Sequence, residues 1–148
     1  NEEETKKVLK DGWLHTGDIG IFENGYLKIT DRKKDILITP GGDNISPVKI
    51  ENELSNSKFI DQSIVYGDNK PYLVALLVLS EDNLNITQDQ IKKEVDNINK
   101  SLSRIENIKK FFIINKKFSI ENGMLTPTLK LKRYKIVQKY KNEFEKLY

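Results

Sequence analysis

The sequence predicts an α+β fold, and three observations predict it. Tyr72-Leu73-Val74-Ala75-Leu76-Leu77-Val78-Leu79 is an unbroken apolar run of strand length that follows a Gly67-Asp68-Asn69-Lys70-Pro71 turn. Ile91, Val95, Ile98, Leu102, Ile105 and Ile108 recur at spacings of three and four, the period of an amphipathic helix. Strands and helices alternate through the second part of the chain without a glycine-rich nucleotide fingerprint, which implies a short β-sheet packed with helices.

Each element has a local reason. Residues 2–10, EEETKKVLK, run from acidic to basic and so complement the dipole of a helix, which Asp11-Gly12 ends. Ile19 and Ile21 on one side of Asn24-Gly25, and Leu27 and Ile29 on the other, alternate as the arms of a hairpin do. The charged run Asp31-Arg32-Lys33-Lys34-Asp35 then meets a short strand, Ile36 to Thr39, and a Pro40-Gly41-Gly42 turn. Ser46 supplies a hydroxyl cap and Pro47 the first residue of a helix over VKIENELSN. Strands are expected at Ile64–Tyr66, Tyr72–Leu79 and Phe111–Ile114. The helical face from Ile91 to Ile108 is divided near Arg104, and Ile136, Val137, Tyr140, Phe144 and Leu147 mark a terminal helix.

The 148 residues suffice for one ordinary domain with its own core, so no disulfide or structural metal is required. Cysteine is absent, which excludes disulfides, thiolate zinc sites and thiol nucleophiles and accords with a reducing, cytoplasmic setting. A single histidine, His15, excludes a multi-histidine metal site, and no metal ligands are assigned; beside Trp13 it reads as a packing or hydrogen-bonding residue. The longest apolar run falls far short of the roughly 20 residues of a membrane span. Residues 126–148 hold seven basic side chains against Glu143 and Glu145, a net of +5 within an overall +3, which leaves −2 for the rest. An anion would be met there. The chain begins at Asn1 without a signal-peptide pattern and reads as part of something longer. Its first 34 residues carry too few apolar groups to close a core, so they are expected to belong to a larger neighbouring body, with 35–148 as a domain of its own.

Three stretches carry candidate chemistry. In DGWLHTGDIG, residues 11–20, Asp18 stands at the mouth of a hairpin, where a carboxylate either accepts hydrogen bonds from vicinal hydroxyls or caps a turn. In GMLTPTLKLKRYKI, residues 123–136, a loop of small and polar residues brings lysine to a helix edge, to meet developing negative charge or as an ordinary basic helix start. Tyr134, Tyr140 and Phe144 interleave with this positive charge, a pattern compatible with nucleic acid or anionic lipid, but they share an apolar face with Ile136 and Val137 and are expected in the core.

The order of these motifs, DGWLHTGDIG, a hairpin, DRKKDILITPGGDNISPVKIE and then TPTLKLKR, resembles the C-terminal portion of the acyl-activating adenylate-forming enzymes, most closely the long-chain fatty-acid CoA ligases. The resemblance implies that residues 1–34 end a large adenylation domain and include the hinge, while 35–148 form a small mobile domain. It implies Asp18 and Arg32 as contacts of the ATP ribose, Lys34 as the hinge residue, and Gly41, Gly42 and Asn44, with Asp43, as the turn lining the coenzyme A thiol path. It implies Lys130 as the lysine that stabilises charge during adenylation. There the sequence departs from the family, which commonly has glycine before that lysine where Leu129 stands here, and Lys132 is the alternative. The implied substrates are a long-chain fatty acid, ATP and coenzyme A. Mg2+ ligands are expected in the large domain, peripheral membrane contact is allowed, and no nucleic acid is expected. An aryl-CoA ligase, a luciferase-like oxidase or a carrier-protein adenylation domain would share the fold. A basic membrane- or nucleic-acid-binding module would instead need only residues 126–148.

Overall fold

A computed structural model describes residues 1–83 and 86–148, and divides the chain into two compact units, Asn1–Ile36 and Leu37–Tyr148.

The first unit opens with α1, Glu2–Val8. The expected helix over residues 2–10 stops two residues early, because Asp11-Gly12 reverses the chain instead of merely ending a helix. Both residues have positive φ, 51° and 79°, and they join β1, Leu9–Lys10, to β2, Trp13–Leu14. The expected hairpin follows as β3, Asp18–Glu23, and β4, Tyr26–Arg32, joined by Asn24-Gly25 with φ of 52° and 85°. Its register shifts between Ile19 and Gly20, where Thr30 is the extra residue of a bulge and donates its hydroxyl hydrogen to the Ile19 carbonyl.

The second unit begins with a two-rung ladder, β5, Leu37–Ile38, against β6, Asn44–Ile45, and continues into α2, Pro47–Ser55. Ser46 caps that helix by accepting the Lys49 amide at 3.1 Å, as its hydroxyl and the following proline lead one to expect. Three strands form the main sheet in the order β7 (Ile60–Tyr66), β8 (Leu73–Leu79) and β9 (Ile108–Ile114), with β8 antiparallel to β7 and parallel to β9. The parallel pair needs a crossover, and α3, Gln88–Asn99, provides it behind a Thr87–Gln90 capping box.

The helical period from Ile91 to Ile108 misleads at its far end. α3 stops at Asn99, whose side-chain amide donates to the Ile108 carbonyl at 2.9 Å while its oxygen accepts the Ile108 amide at 2.8 Å. Ile108 thus begins a strand. The terminal helix is also divided, into α4, Arg133–Lys139, and α5, Lys141–Glu145, with Tyr140 out of helical conformation between them. Ile136 and Phe144 are buried as expected and Tyr140 is half-buried, but Tyr134 is 68% exposed, because its position turns away from the sheet.

β8 divides the core. Leu73, Ala75 and Leu77 enter one apolar cluster with Leu37, Ile45, Ile50 and Ile91. Val74, Leu76 and Val78 enter another with Phe118, Met124, Leu125, Ile136 and Phe144. Alternate side chains of a strand point to opposite faces, so the two clusters lie on opposite sides of the sheet. This strand is therefore apolar throughout instead of alternating.

Candidate functional site

The candidate residues fall in three places, each built by a turn. In the first unit, the β3–β4 register sets Asp18 opposite Arg32, and the Arg32 Nε lies 3.1 Å from an Asp18 carboxylate oxygen. The Thr16 hydroxyl accepts the Asp18 amide, and the Lys33 amide donates to the Gly17 carbonyl at 2.8 Å, which closes the hairpin's open end. Asp18 is three-quarters buried at its side chain and Arg32 mostly exposed, so the pair sets a largely buried carboxylate beside a solvent-facing cation. Lys34 is exposed in the turn that follows, where the Asp35 amide donates to the Arg32 carbonyl. His15 and Trp13 are both exposed, and the packing expected of His15 is not found.

The other two places, both in the second unit, share one geometry that the sequence reading missed. Thr39-Pro40-Gly41-Gly42-Asp43 joins β5 to β6: the Thr39 amide donates to the Asp43 carbonyl at 3.0 Å, the Gly42 amide to the Thr39 carbonyl at 2.9 Å, and the Asp43 amide to the Thr39 hydroxyl at 3.0 Å. Thr126-Pro127-Thr128-Leu129-Lys130 repeats each bond. The Thr126 amide donates to the Lys130 carbonyl at 2.8 Å, the Leu129 amide to the Thr126 carbonyl at 2.9 Å, and the Lys130 amide to the Thr126 hydroxyl at 3.0 Å. Both are three-residue hairpin loops whose last residue takes a left-handed conformation, φ +89° at Gly42 and +60° at Leu129. Glycine accepts that conformation freely; leucine does so at a cost of about 1–2 kcal/mol. The signal was present as Thr-Pro at the head of each loop.

The two loops are rooted in different cores. Leu37 and Ile45 of the first belong to the cluster on one side of the sheet, while Met124 and Leu125, leading into the second, belong to the cluster on the other. Gly41 and Asp43, though not Gly42 or Asn44, line a groove of about 670 Å³ whose walls also include Tyr72 and the cations Lys70, Arg104 and Lys109. Asn44 is held in β6 opposite Ile38. Lys130 is exposed at the second loop, whereas Lys132 sits at its base, half-buried, with its amide bonded to the Met124 carbonyl at 2.8 Å.

Close behind Lys130, Arg133 forms an ion pair with Glu51 at 2.5 Å. No local pattern in the sequence marks this pair, since 82 residues separate its members. Among the described residues no group of three or more histidine, aspartate or glutamate side chains could hold a metal ion, and no helix is long and apolar enough to cross a membrane.

A small α+β domain bearing such loops on both sides of its sheet, preceded by an acid–arginine hairpin, is the C-terminal region of an adenylate-forming enzyme. Residues 34–148 match the family model described as AMP-binding enzyme C-terminal domain, and the chain belongs to that family. It is 34% identical to the long-chain-fatty-acid–CoA ligase FadD15 of Mycobacterium tuberculosis, over all of this chain and 28% of that protein. It is 37% identical to long-chain-fatty-acid–CoA ligase 5 of Mus musculus, over 99% of this chain and 25% of that protein. The chain therefore spans about a quarter of the length of these relatives. Among solved structures, the adenylation domain of a carboxylate reductase from Mycobacterium chelonae superposes with a TM-score of 0.89 at 27% identity, over 99% of this chain and 25% of that one. The o-succinylbenzoate CoA synthetase of Bacillus subtilis, in complex with its acyl-adenylate intermediate, gives 0.72 at 25% identity, over 92% of this chain and 26% of that one.

Proposed function

We propose that this chain is the C-terminal part of an AMP-forming long-chain fatty-acid CoA ligase, in which residues 1–34 complete the large adenylation domain and carry the hinge, and residues 35–148 form the mobile domain. The observation that carries the proposal is the rooting of the Lys130 loop and the Gly41-Gly42 loop in cores on opposite sides of one sheet. A domain of that design presents one loop or the other to a partner surface by rotating. The exposed apolar groups of the first unit, Trp13, Phe22 and Tyr26 at 76–80% accessibility, suit burial against the remainder of such an enzyme.

In the first half-reaction a fatty carboxylate oxygen attacks the α-phosphate of ATP, the bond to pyrophosphate breaks, and an acyl-adenylate forms. The Lys130 ammonium offsets the growing negative charge. Asp18 accepts hydrogen bonds from the two ribose hydroxyls and Arg32 makes a second contact. Rotation about Lys34 then withdraws Lys130 and brings up the double-glycine loop. The coenzyme A thiol attacks the acyl carbonyl, and AMP leaves. Gly41, Gly42 and Asn44 line the thiol's path, and the cationic groove beside Gly41 suits a phosphate-bearing acceptor. Magnesium ligands belong, on this reading, to the remainder of the enzyme. The setting is cytoplasmic, with the basic tail available for peripheral membrane contact.

The experiment is a single-turnover measurement on the full-length enzyme with a panel of acids, following pyrophosphate release and acyl-CoA production separately. Burst release of pyrophosphate with palmitate-length acids, followed by thioester formation, is expected. A second reading, favoured by the close superposition on a carboxylate reductase domain, is adenylation for transfer to a carrier domain. Acyl-adenylate formation with no coenzyme A-dependent product would select it.

A further inference from the structure

The Lys130 loop has two legs, and each is anchored differently. The incoming leg is apolar, with Met124 and Leu125 at 8% and 7% exposure in the core. The outgoing leg reaches Arg133, the first residue of α4, only three residues beyond Lys130. Its Nη2 pairs with one Glu51 carboxylate oxygen at 2.5 Å, and its Nη1 donates to the Val65 carbonyl at 3.0 Å. The other Glu51 oxygen accepts the Val65 amide at 2.7 Å. Val65 lies on β7, an outer strand, and both of its backbone polar groups are taken by this ion pair. Arg133 is 16% exposed at its side chain and Glu51 10%.

Exposed ion pairs contribute little, but a pair withdrawn from water and tied to the backbone at both ends fixes geometry. This one joins α2, β7 and α4 at a single point. It does so where the chain leaves the loop, so the height and direction of Lys130 above the sheet are referred to Val65. The other basic residues near the loop, Lys132 and Lys135, have no such tether among the hydrogen bonds described.

We infer that Arg133, held by Glu51, is a positioning residue for Lys130 in the adenylation step. The inference rests on the reading of Lys130 given above. A guanidinium spans the carboxylate and the Val65 carbonyl at once; an ammonium on a lysine stem cannot reproduce that fork. Displacing a catalytic group by about 1 Å can cost on the order of 10²-fold in rate.

The test is a double-mutant cycle in the full-length enzyme, read as single-turnover pyrophosphate release and, separately, as acyl-CoA formation from supplied acyl-adenylate. Lys130→Ala, Arg133→Lys, Glu51→Gln and the pairings of the last two with Lys130→Ala are compared, with the melting temperature of each. The expected result is that Arg133→Lys and Glu51→Gln each slow adenylation about tenfold or more at an ATP KM within twofold of the parent. Both should leave thioester formation intact and add nothing once Lys130 is alanine. If Lys130→Ala slows adenylation but the Arg133 effect is fully additive with it, or if both half-reactions fall together with folded fraction, Arg133 is only structural and the inference is overturned. If Lys130→Ala itself leaves adenylation unchanged, the reading of Lys130 fails, and the inference with it. Glu51→Gln retains the shape of the carboxylate, so it keeps the question answerable should the Arg133 variant unfold.

Discussion

Asp18 and Arg32 stand directly across the β3–β4 hairpin from one another, with the guanidinium Nε 3.1 Å from the carboxylate. An ion pair this exposed on its arginine side contributes less than about 1 kcal/mol to stability. Under the proposed function, the pair serves to aim the Asp18 carboxylate. Asp18→Ala in the full-length enzyme is expected to raise the KM for ATP by about tenfold or more, the scale of losing hydrogen bonds to a charged acceptor, while the melting temperature stays nearly constant. A large drop in melting temperature with unchanged KM would make Asp18 the turn cap that its position also allows.

Lys130 and Lys132 are now distinguishable by placement. Lys130→Ala is expected to depress acyl-adenylate formation by about 10² or more, with Lys132→Ala costing far less, because Lys132 is half-buried at the loop's base, where its backbone amide donates a hydrogen bond to the Met124 carbonyl. Pyrophosphate release in a single turnover separates them, and the reverse order of effects would move the catalytic role to Lys132.

The two glycines of the β5–β6 loop make different probes. Gly42 has φ +89°, so any side chain there strains the backbone whatever it does to a thiol. At Gly41 a Cβ would meet the nearest atoms, of Asp43 and Thr39, at 3.5 and 3.6 Å, which is ordinary contact. Gly41→Leu is therefore expected to fold normally, form acyl-adenylate normally and produce acyl-CoA slowly. Lys34→Pro, which fixes φ at the proposed hinge, should give the same split between half-reactions. Normal acyl-CoA formation in both variants would leave the charged run and the double glycine as surface geometry alone.

Leu129 occupies a left-handed position, φ +60°, with its side chain 69% exposed and so poorly compensated by burial. Leu129→Gly relieves that strain at the cost of a more flexible unfolded chain, and a net gain of about 0.5–1 kcal/mol is expected. Denaturant midpoints at unchanged slope would measure it; a loss of stability would show that Leu129 makes contacts worth more than its strain.

Glu145 predicts an acid limit for the C-terminal clasp. Hydrogen bonds from Lys70 at 2.6 Å and from the Tyr66 hydroxyl at 3.0 Å hold its carboxyl below the ordinary 4.5. A depressed carboxyl favours folding above its unfolded value, and that contribution is lost as pH falls from about 4.5 through the folded pKa. Amide exchange at α5 should accelerate over that window in the parent and not in Glu145→Gln. Equal acid sensitivity in both would assign the effect elsewhere.

Where the sequence was legible, the determining chemistry was local. Asn24-Gly25 sets the β3–β4 turn and Ser46-Pro47 starts α2, each within a few residues; the register of that turn alone would set Asp18 opposite Asp31, and the bulge at Thr30, which the sequence pattern did not disclose, brings Asp18 opposite Arg32 instead. The eight-residue apolar run disclosed β8, though not that its two faces serve different cores. The misreadings were set from further away. Ile108 satisfies a helical period, but the Asn99 side chain ends the helix nine residues earlier by bonding to it. Tyr134 shares spacing with core residues, yet α4 leaves it in solvent, because the tether at Arg133 fixes that helix's rotation through Glu51, 82 residues upstream.

Every side chain from Leu73 to Val78 is at most 3% exposed, so β8 has no face to spare for solvent. Under the proposed function, neighbouring positions on this strand answer to different demands. A change at Ala75 or Leu77 is felt beneath the loop that receives the acceptor thiol, and one at Leu76 or Val78 beneath the loop that carries Lys130. Apart from the Arg133–Glu51 pair, which ties α2 on one side of the sheet to α4 on the other, the helices and loops outside the strand can diverge on one side at a time, so a lineage can acquire a new acceptor without relearning how to activate its acid. The strand itself has no such latitude, and inheritance should hold it most tightly of all.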